Sequence, residues 1–229
     1  MKAVVLGPTG VVGNALVRAA LQDSRFDSIV AVSRRPLKRQ EPRLSVTLLD
    51  NFSDFTPIEC TLASTDVVLC ALGLSWYQAS GEAQYRQITH DYVMACAHVA
   101  SLANPAVRFC FVSGQGAAVN GSQAWARIKG ETEHDLESRF GSRLNVFRPG
   151  YIYPAAGRDT PYWGDTLMKP LMPMRAMMSR WITDCDEVAC AILYAATGGT
   201  VPSPATNRDI IAAAAAYKAT DKRPRMNTD

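Results

Sequence analysis

The sequence predicts an α/β fold, a doubly wound parallel sheet with helices on both faces. Apolar, valine-rich runs alternate with helical patterns through the first two thirds of the chain, which is typical of consecutive right-handed βαβ units. A glycine-rich turn at 7–13 follows the first run directly and leads into a helix, which makes the predicted fold Rossmann-type. The predicted strands are 2–6, 28–33, 44–49, 66–72, 107–113 and 144–147.

The segments between these strands have the periodicity of helices packed on a sheet. Val12 and Leu16 share one face of the first helix, and Tyr85 and Tyr92 share one face of a long helix over 82–103. Each face is apolar, so each helix is expected to bury it against the sheet.

After the sixth strand the composition changes. Residues 151–173 are rich in Pro, Gly, Tyr and Met and predict a small, loop-rich cap beside the strand ends, where a substrate would lie. A closing helix is predicted near Asp184 or Asp186, either of which can be its N-cap, and another through 210–217.

Chain length predicts a single nucleotide-binding domain. With 229 residues, 48% of them hydrophobic, the chain can form one large core but not two ordinary domains. The predicted parts are a cofactor-binding core over 1–150, a substrate-side cap with its closing helix over 151–205, and a flexible, charged tail over 218–229.

Composition argues against several classes of function. Lys and Arg number 24 against 21 Asp and Glu, so the charge predicts no nucleic-acid partner. No apolar run is long enough for a bilayer and no signal peptide is visible, which predicts no membrane association. The six cysteines are scattered without metal-site spacing and are interpreted as buried thiols of a reducing compartment. We therefore expect a cytoplasmic protein without a metal.

The glycine turn is the predicted cofactor site. Gly7 allows a sharp turn, Gly10 lets the backbone approach a pyrophosphate, and Gly13 lets the helix pack closely while its N-terminus attracts negative charge. The spacing is G-x-x-G-x-x-G rather than G-x-G-x-x-G, so a tight turn without a ligand is the alternative. The residues assigned to the cofactor here are Gly7, Thr9, Gly10, Val11, Val12 and Gly13.

The end of the second strand indicates which dinucleotide binds. An NAD site usually has a carboxylate there, but this chain has Arg34 and Arg35. Guanidinium groups suit a 2′-phosphate in charge and geometry, which predicts NADP(H) in preference to NAD(H). The alternatives are a solvated basic face for Arg34, and for Arg35 either stacking on adenine or exposure to water.

The ends of the third and fourth strands complete the predicted cofactor site. Asp50 and Asn51 are expected beside the adenine, with a turn role as the alternative. The small segment Ala71, Leu72 and Gly73 would leave room for the cofactor, or else reflect close packing.

Several motifs together resemble one family. They are the glycine turn, the arginine after the second strand, VSG at 112–114, KGE at 129–131 and VFRPG at 146–150, with ASGEA at 79–83 and DYV at 91–93. Over about residues 1–195 the chain is similar to the atypical short-chain dehydrogenase/reductases, within them to the small group related to the human Tat-interacting oxidoreductase. The resemblance implies an NAD(P)-binding Rossmann fold, bound NADP(H), redox chemistry, and Pro149 as a cofactor contact.

The same resemblance implies a catalytic triad with one substitution. Active members use Tyr-x-x-x-Lys on a helix and a Ser at the end of the fifth strand. Ser113 and Lys129 match, but Trp125 replaces the tyrosine. The tyrosine exchanges a proton with the substrate oxygen, the lysine lowers its pKa and holds the nicotinamide ribose, and the serine hydrogen-bonds the same oxygen. An indole N–H does not titrate in water, and losing such an acid costs about 10²–10⁴-fold in rate.

Three explanations of the missing tyrosine stay open. The helix register is offset, another tyrosine supplies the proton, or hydride transfer is not the function; the candidate tyrosines are Tyr77, Tyr85, Tyr151 and Tyr153. Ser113 has a turn-cap alternative and Lys129 a surface alternative. The sequence thus predicts an NADP(H)-dependent oxidoreductase of a small carbonyl or alcohol substrate. The alternative is a catalytically degenerate NADP(H)-binding regulatory or sensor protein that acts through a protein partner; a homodimer is also left open.

Overall fold

A six-stranded parallel sheet forms the centre of the molecule. The computed structural model describes residues 1–153 and 180–221, and its sheet has the strand order β3-β2-β1-β4-β5-β6. The order reverses between β1 and β4, so the predicted doubly wound sheet is confirmed. The strands are β1 Lys2–Leu6, β2 Ser28–Ser33, β3 Leu44–Leu48, β4 Val67–Cys70, β5 Arg108–Val112 and β6 Leu144–Phe147.

The ladder hydrogen bonds extend beyond the strand ends. β4 is shorter than the predicted 66–72, yet Asp66 N–H donates to the Lys2 carbonyl (2.9 Å) and Ala71 N–H to the Leu6 carbonyl (3.1 Å). Asp66 and Ala71 are therefore paired with the neighbouring strand, although the assigned strand is one residue shorter at its start and two residues shorter at its end than predicted.

The helices lie on both faces of this sheet. One face carries α1 (Val11–Gln22) and the two C-terminal helices, and the other carries the three helices between β3 and β6 that pack on it. The helices are α1 Val11–Gln22, α2 Glu59–Ala63, α3 Glu82–Arg86, α4 Tyr92–Ala103, α5 Ala124–Phe140, α6 Cys185–Ala196 and α7 Asn207–Asp221, with short 3₁₀ turns at Thr56–Ile58, Trp76–Gln78 and Gly141–Arg143.

The predicted long helix over 82–103 is present, with one irregularity. A π-helical turn at Gln87–Asp91 joins α3 to α4. Tyr85 is buried, whereas Tyr92 is only half-buried. Such turns insert one extra residue into a helix and re-aim the side chains that follow it.

The core has two halves because β1 is buried on both faces. Ala3 and Val5 contact the layer of α1, α6 and α7, while Val4 and Leu6 contact the layer of α2, α4 and α5. Side chains alternate along a strand, so a fully apolar strand can serve two helical layers at once.

The structure decides between the two N-cap candidates of α6. The Asp184 carboxylate accepts from the Glu187 N–H (2.7 Å), and the Glu187 carboxylate accepts from the Asp184 N–H (3.1 Å). This is a capping box. Asp186 instead pairs with Arg18 of α1.

Three predictions at the C-terminal side need correction or fall outside the description. Tyr151–Tyr153 form a short strand, β7, parallel to β8 (Ile182–Asp184), rather than a loop, and the rest of the predicted cap, 154–173, lies outside the described residues. Residues 218–221 of the predicted tail belong to α7, because this helix extends past its last apolar residue. Residues 222–229 are not described.

The cysteine prediction is wrong for one of the six residues. Cys60 on α2 is exposed, since α2 packs on the sheet through Leu62. The other five are buried free thiols.

Candidate functional site

Close backbone packing requires glycine at two positions of the turn. Gly7 has a φ of +75°, and a Cβ there would lie 2.8 Å from the Ala71 carbonyl oxygen. A Cβ at Gly13 would lie 2.0 Å from the Gly7 carbonyl oxygen. Both positions therefore exclude any side chain. Around Gly10, by contrast, a Cβ would meet only the Gly7 oxygen at 3.4 Å, and its N–H donates to that oxygen at 3.0 Å.

Helix α1 begins directly after this turn. Gly10 is its N-cap, with extended backbone, and no side chain caps the helix. Thr9 and Gly10 are exposed, whereas the Val12 side chain lies in the core. The groups that Val11, Val12 and Gly13 can present to a ligand are therefore their backbone N–H groups. Uncapped N–H groups and the helix dipole both favour an anion at this place.

A cleft of about 1000 Å³ adjoins the turn. Five of the predicted cofactor residues line it, and so do residues that the prediction did not include. The lining comprises Gly7, Thr9, Arg34, Arg35 and Leu72 of the predicted set, together with Pro8, Asn14, Val17, Val32, Ser33, Pro36, Leu37, Lys38, Arg39, Gln40, Glu41 and Phe52. The cleft thus extends from the helix N-terminus to the end of β2.

Basic side chains at the end of β2 form the far wall of the cleft. Arg34 and Arg35 are exposed, and within the described part of the chain no carboxylate pairs with either of them. The Arg35 N–H donates to the Ser33 hydroxyl at 3.2 Å, and Arg39 lies 4.0 Å from Glu41. Arg43 has a different role, since it donates to the carbonyls of Asp23 (2.9 Å) and Phe26 (2.5 Å).

The predicted residues after β3 lie outside the cleft lining. Asp50 and Asn51 are exposed, and the Asn51 side chain accepts from the Ser53 N–H at 3.0 Å, which is the geometry of a local turn. Phe52 lines the cleft instead and packs edge-on against Phe55, with 5.4 Å between ring centroids. An aromatic residue following the third strand is the sequence signal that would have located it.

The remaining predicted cofactor residues lie around the end of β4 and after β6. Ala71 touches the turn through its carbonyl, and a Cβ on Gly73 would have no atom within 4 Å. Pro149 is buried, and its carbonyl accepts from the Gln115 N–H at 2.9 Å. Pro149 thereby holds the loop after β5.

Ser113 and Lys129 come together at the carboxyl end of β5. The Ser113 side chain is 5% exposed, and its hydroxyl has no hydrogen-bond partner among the described residues. The Lys129 methylenes pass beside Gly114, 3.5 Å from where a Cβ would stand, and its ammonium lies 5.9 Å from the Phe111 ring centre. A buried polar atom without a partner is costly, which fits a group that bonds a ligand.

The environment of Lys129 changes its titration. Burial disfavours the charged form and lowers the pKa of Lys129 to about 8, although the nearby Glu133 carboxylate and the Cys70 thiol act in the opposite direction. Within residues 1–153 and 180–221 no salt bridge or hydrogen bond reaches the ammonium. Arg148 explains why: its guanidinium donates to both Glu133 oxygens (3.0 and 3.1 Å from Nε).

Trp125 lies one helical turn before Lys129, as the spacing requires. Its ring lies 3.1 Å from the Cβ position of Gly116, and its indole N–H donates to the Gln123 side chain. Since Gln123 precedes α5 directly, Trp125 sits in the first turn of the helix and closes over the loop after β5.

The alternative tyrosines have different surroundings. Tyr85 is buried edge-on against Trp76, 5.2 Å between ring centroids, and burial raises the pKa of Tyr85 to about 12, which makes it a weaker acid. Tyr77 is 73% exposed. Tyr151 and Tyr153 are half-buried in β7.

The structure adds two groups that sequence patterns do not reveal. The Glu133–Arg148 pair joins α5 to the end of β6 beside the site. Asn207 accepts from the Gly150 N–H (2.9 Å) and donates to the Ile182 carbonyl (3.0 Å), which fixes β7 and β8 against α7. Among the described residues no cluster of His, Cys, Asp or Glu suits a metal ion, and no helix has the length and apolarity to cross a bilayer.

Solved structures with this architecture define the class of fold. An oxidoreductase of the short-chain dehydrogenase/reductase family from Burkholderia thailandensis is 17% identical, with a TM-score of 0.62 over 86% of this chain and 85% of that one. Yeast methylglyoxal/isovaleraldehyde reductase Gre2, complexed with NADPH, is 13% identical (TM-score 0.65, 85% and 74% covered). UDP-glucuronic acid 4-epimerase from Bacillus cereus, in complex with NAD, is 16% identical (TM-score 0.61, 97% and 84%). The chain therefore has the Rossmann fold that these structures share, as predicted.

Particular relatives are found among fungal proteins. The chain is 31% identical over 153 residues to the protein FMP52, mitochondrial, of Eremothecium gossypii, and 26% identical over 212 residues to its namesake in Aspergillus niger. The first match spans 66% of each chain, just under two thirds, and the second 87% of this chain and 89% of the relative. No family model matches the chain. These relatives are named as mitochondrial proteins, which contradicts the predicted cytoplasmic location.

Proposed function

We propose that the chain is an NADP(H)-dependent oxidoreductase that reduces a small carbonyl compound or oxidises the corresponding alcohol. The observation that carries the proposal is the continuous cleft from the uncapped N-terminus of α1 to Arg34 and Arg35, whose guanidinium groups have no carboxylate partner among the described residues. A helix N-terminus suits a pyrophosphate and a free guanidinium suits a 2′-phosphate, so the two ends of the cleft match two parts of one dinucleotide.

The residues present fit a nicotinamide dinucleotide. Gly7, Gly10 and Gly13 leave the turn without side chains, and the Ser113 hydroxyl is a buried hydrogen-bonding group without a partner among the described residues. When bound, the cofactor supplies or accepts a hydride. In this proposal Ser113 binds the substrate oxygen and Lys129 holds the nicotinamide ribose.

Dinucleotide titrations test the cofactor. Tryptophan fluorescence or calorimetry would measure the Kd of NADPH and NADH for the wild type, Arg34→Gln and the matched surface control Arg208→Gln. We expect Arg34→Gln to weaken NADPH binding by about 10- to 100-fold, since charge-assisted bonds contribute about 1.5–3 kcal/mol, and to leave NADH binding unchanged. Equal loss for both dinucleotides would contradict the NADP(H) preference.

Turnover tests the reaction. NADPH oxidation would be followed at its absorbance maximum across a panel of aldehydes, ketones and quinones. We expect slow, carbonyl-dependent oxidation. Tight NADPH binding without turnover on any member of the panel would contradict an oxidoreductase.

One observation supports the second candidate function, a catalytically degenerate NADP(H)-binding protein that acts through a protein partner. Trp125 occupies the position of the family's acid and engages its own N–H with Gln123. This candidate predicts a partner, captured with and without NADPH, whose affinity changes at least several-fold on cofactor addition. Unchanged affinity would argue against it.

A further inference from the structure

Lys129 is a half-buried titratable group close to the end of β5, where the Ser113 hydroxyl has no partner among the described residues, and the described structure shows no partner for its ammonium either. Its side chain runs beside Gly114, directly after Ser113, and its ammonium faces the Phe111 ring instead of a carboxylate. A lysine that serves only as an anchoring charge has no need of such surroundings, because desolvation weakens the charged form.

The carboxylate that could neutralise this lysine is engaged elsewhere. Glu133 stands one helical turn after Lys129, is 9% exposed, and gives both its oxygens to Arg148. Glu133 pairs with Arg148 and makes no direct ion pair with Lys129, so its charge acts on the lysine only from a distance.

Since the site lacks its tyrosine, we propose that Lys129 itself exchanges the proton with the substrate oxygen, while Ser113 orients that oxygen. This inference rests on the proposed function. In the reduction, the carbonyl carbon receives the hydride that NADPH supplies, the C=O π pair moves onto oxygen, an N–H bond of the Lys129 ammonium breaks, and an O–H bond forms. Lys129 becomes neutral and recovers a proton from water, so the sum is carbonyl, NADPH and H⁺ giving alcohol and NADP⁺.

The surroundings of the ammonium poise it for this exchange. Its pKa of about 8 is close to neutral pH, so both protonation states are accessible. The charged or titratable groups that act on it are Glu133 on α5, Cys70 at the end of β4 and, through Glu133, Arg148 after β6. Burial raises the pKa of Cys70 to about 12, so the thiol is neutral over the pH range of interest.

The proposal predicts that kcat for reduction and kcat for oxidation have opposite pH dependences. Reduction needs the protonated lysine, so kcat should be level below pH about 8 and fall above it; oxidation needs the neutral amine, so kcat should rise through the same pH. Glu133→Gln removes a charge that raises the pKa of Lys129, and both transitions should move to lower pH. If Lys129 only anchored the ribose, both directions would decline together as the ammonium is lost.

The test measures kcat and the NADPH KM in both directions between pH 6 and pH 10, roughly the range about the lysine midpoint, for the wild type, Lys129→Arg and the surface control Lys218→Arg. Arginine keeps the positive charge and its donors but does not release a proton. We expect Lys129→Arg to lower kcat by about 10²-fold with the NADPH KM within about threefold. Lys218→Arg should leave both unchanged.

A labelling experiment measures the titration of Lys129 directly and does not require turnover. Competitive modification by an amine-reactive reagent at a series of pH values, followed by mass spectrometry, should give Lys129 a midpoint near its pKa of about 8, well below that of an ordinary lysine side chain. NADPH should protect Lys129.

Three kinds of result distinguish failure of the proton-transfer role of Lys129 from failure of the oxidoreductase function. Wild-type turnover that Lys129→Arg retains, or parallel pH profiles in the two directions, would overturn proton transfer by Lys129 and leave the oxidoreductase intact. Lack of wild-type turnover across the carbonyl panel would overturn the oxidoreductase and this inference with it. A Lys129 midpoint at the ordinary value for a lysine side chain, about 10.4, would overturn the inference alone.

Discussion

At the scale of single residues, the proposed site differs from the pattern of the short-chain dehydrogenase/reductases that the sequence resembles by the loss of one titrating group. Trp125 is placed where the tyrosine would be, one turn before Lys129, and its ring fills the space beside Gly116. The geometry of the helix face is thus retained, but the indole neither donates nor accepts a proton in the relevant pH range.

Trp125→Tyr should therefore restore a conventional acid. We expect kcat to rise by one to two orders of magnitude, about the lower part of what a general acid contributes, and the pH dependence to shift because the phenol shares the proton with Lys129. Steady-state kinetics would measure both. Trp125→Phe supplies a ring without the hydroxyl; a gain of equal size in this variant would mean that pocket volume, and not the acid, limits turnover.

At the scale of elements, the stability of α6 depends on how its first turn is capped. Asp184 closes a capping box with Glu187, and the helix buries Val188, Ala189, Ile192 and Leu193 against the sheet. From the sequence alone Asp184 and Asp186 are equivalent candidates. They become distinct because β8 delivers Asp184 in extended backbone, the conformation that an N-cap needs.

The two aspartates offer a matched pair of variants. Asp184→Ala should lower the free energy of unfolding by about 1 kcal/mol, since it leaves a helix N–H without its acceptor. Asp186→Ala removes only a half-exposed ion pair with Arg18 and should cost at most about half as much. Urea denaturation of both variants measures the difference. Equal losses, or a larger loss for Asp186→Ala, would mean that the capping box does not stabilise α6.

At the scale of the whole molecule, a buried cluster joins the first and last helices of the description. The Tyr217 hydroxyl donates to the Asp23 carboxylate at 2.6 Å, and Arg25 donates to the same group at 2.7–3.1 Å. Burial by itself would raise the pKa of Asp23, but the bonds from Arg25 and Tyr217 outweigh it and hold that pKa below its ordinary value.

This cluster predicts an acid-dependent part of the stability. A carboxyl group with a lowered folded-state pKa stabilises the fold above its unfolded pKa, and the stabilisation is lost as the pH falls through the folded value. Tyr217→Phe removes one of the two bonding partners, so the free energy of unfolding should fall by about 1–2 kcal/mol at neutral pH.

In Tyr217→Phe the acid-induced loss should also be complete at a higher pH than in the wild type, because the folded-state pKa of Asp23 rises towards its unfolded value. Urea unfolding monitored by circular dichroism between neutral pH and pH about 3 tests this. The pH at which stability is lost would stay in place if the Tyr217 bond did not stabilise the carboxylate.

Comparison of prediction with structure shows where local patterns suffice. The strands and most helices follow from periodicity and from valine-rich runs, and the closeness of the Gly7–Ala71 and Gly13–Gly7 contacts explains why glycine marks the turn. Asp50 and Asn51 were placed by analogy of position and lie outside the cleft lining, whereas Phe52, one residue later, lines it. Which side of a short turn faces a cleft depends on packing that a sequence window does not contain.

What the sequence determined by itself was the doubly wound sheet, the glycine turn and the basic end of β2, because each depends on residues close together in the chain. Only the tertiary structure decided the surroundings of each polar group in the proposed site. It leaves the Ser113 hydroxyl without a partner in the described part, pairs Glu133 with Arg148, and places Lys129 half-buried beside Gly114 and Phe111, where burial lowers its pKa. The physical reason is that burial and electrostatic environment arise from contacts between distant segments, and these contacts exist only once the chain has folded.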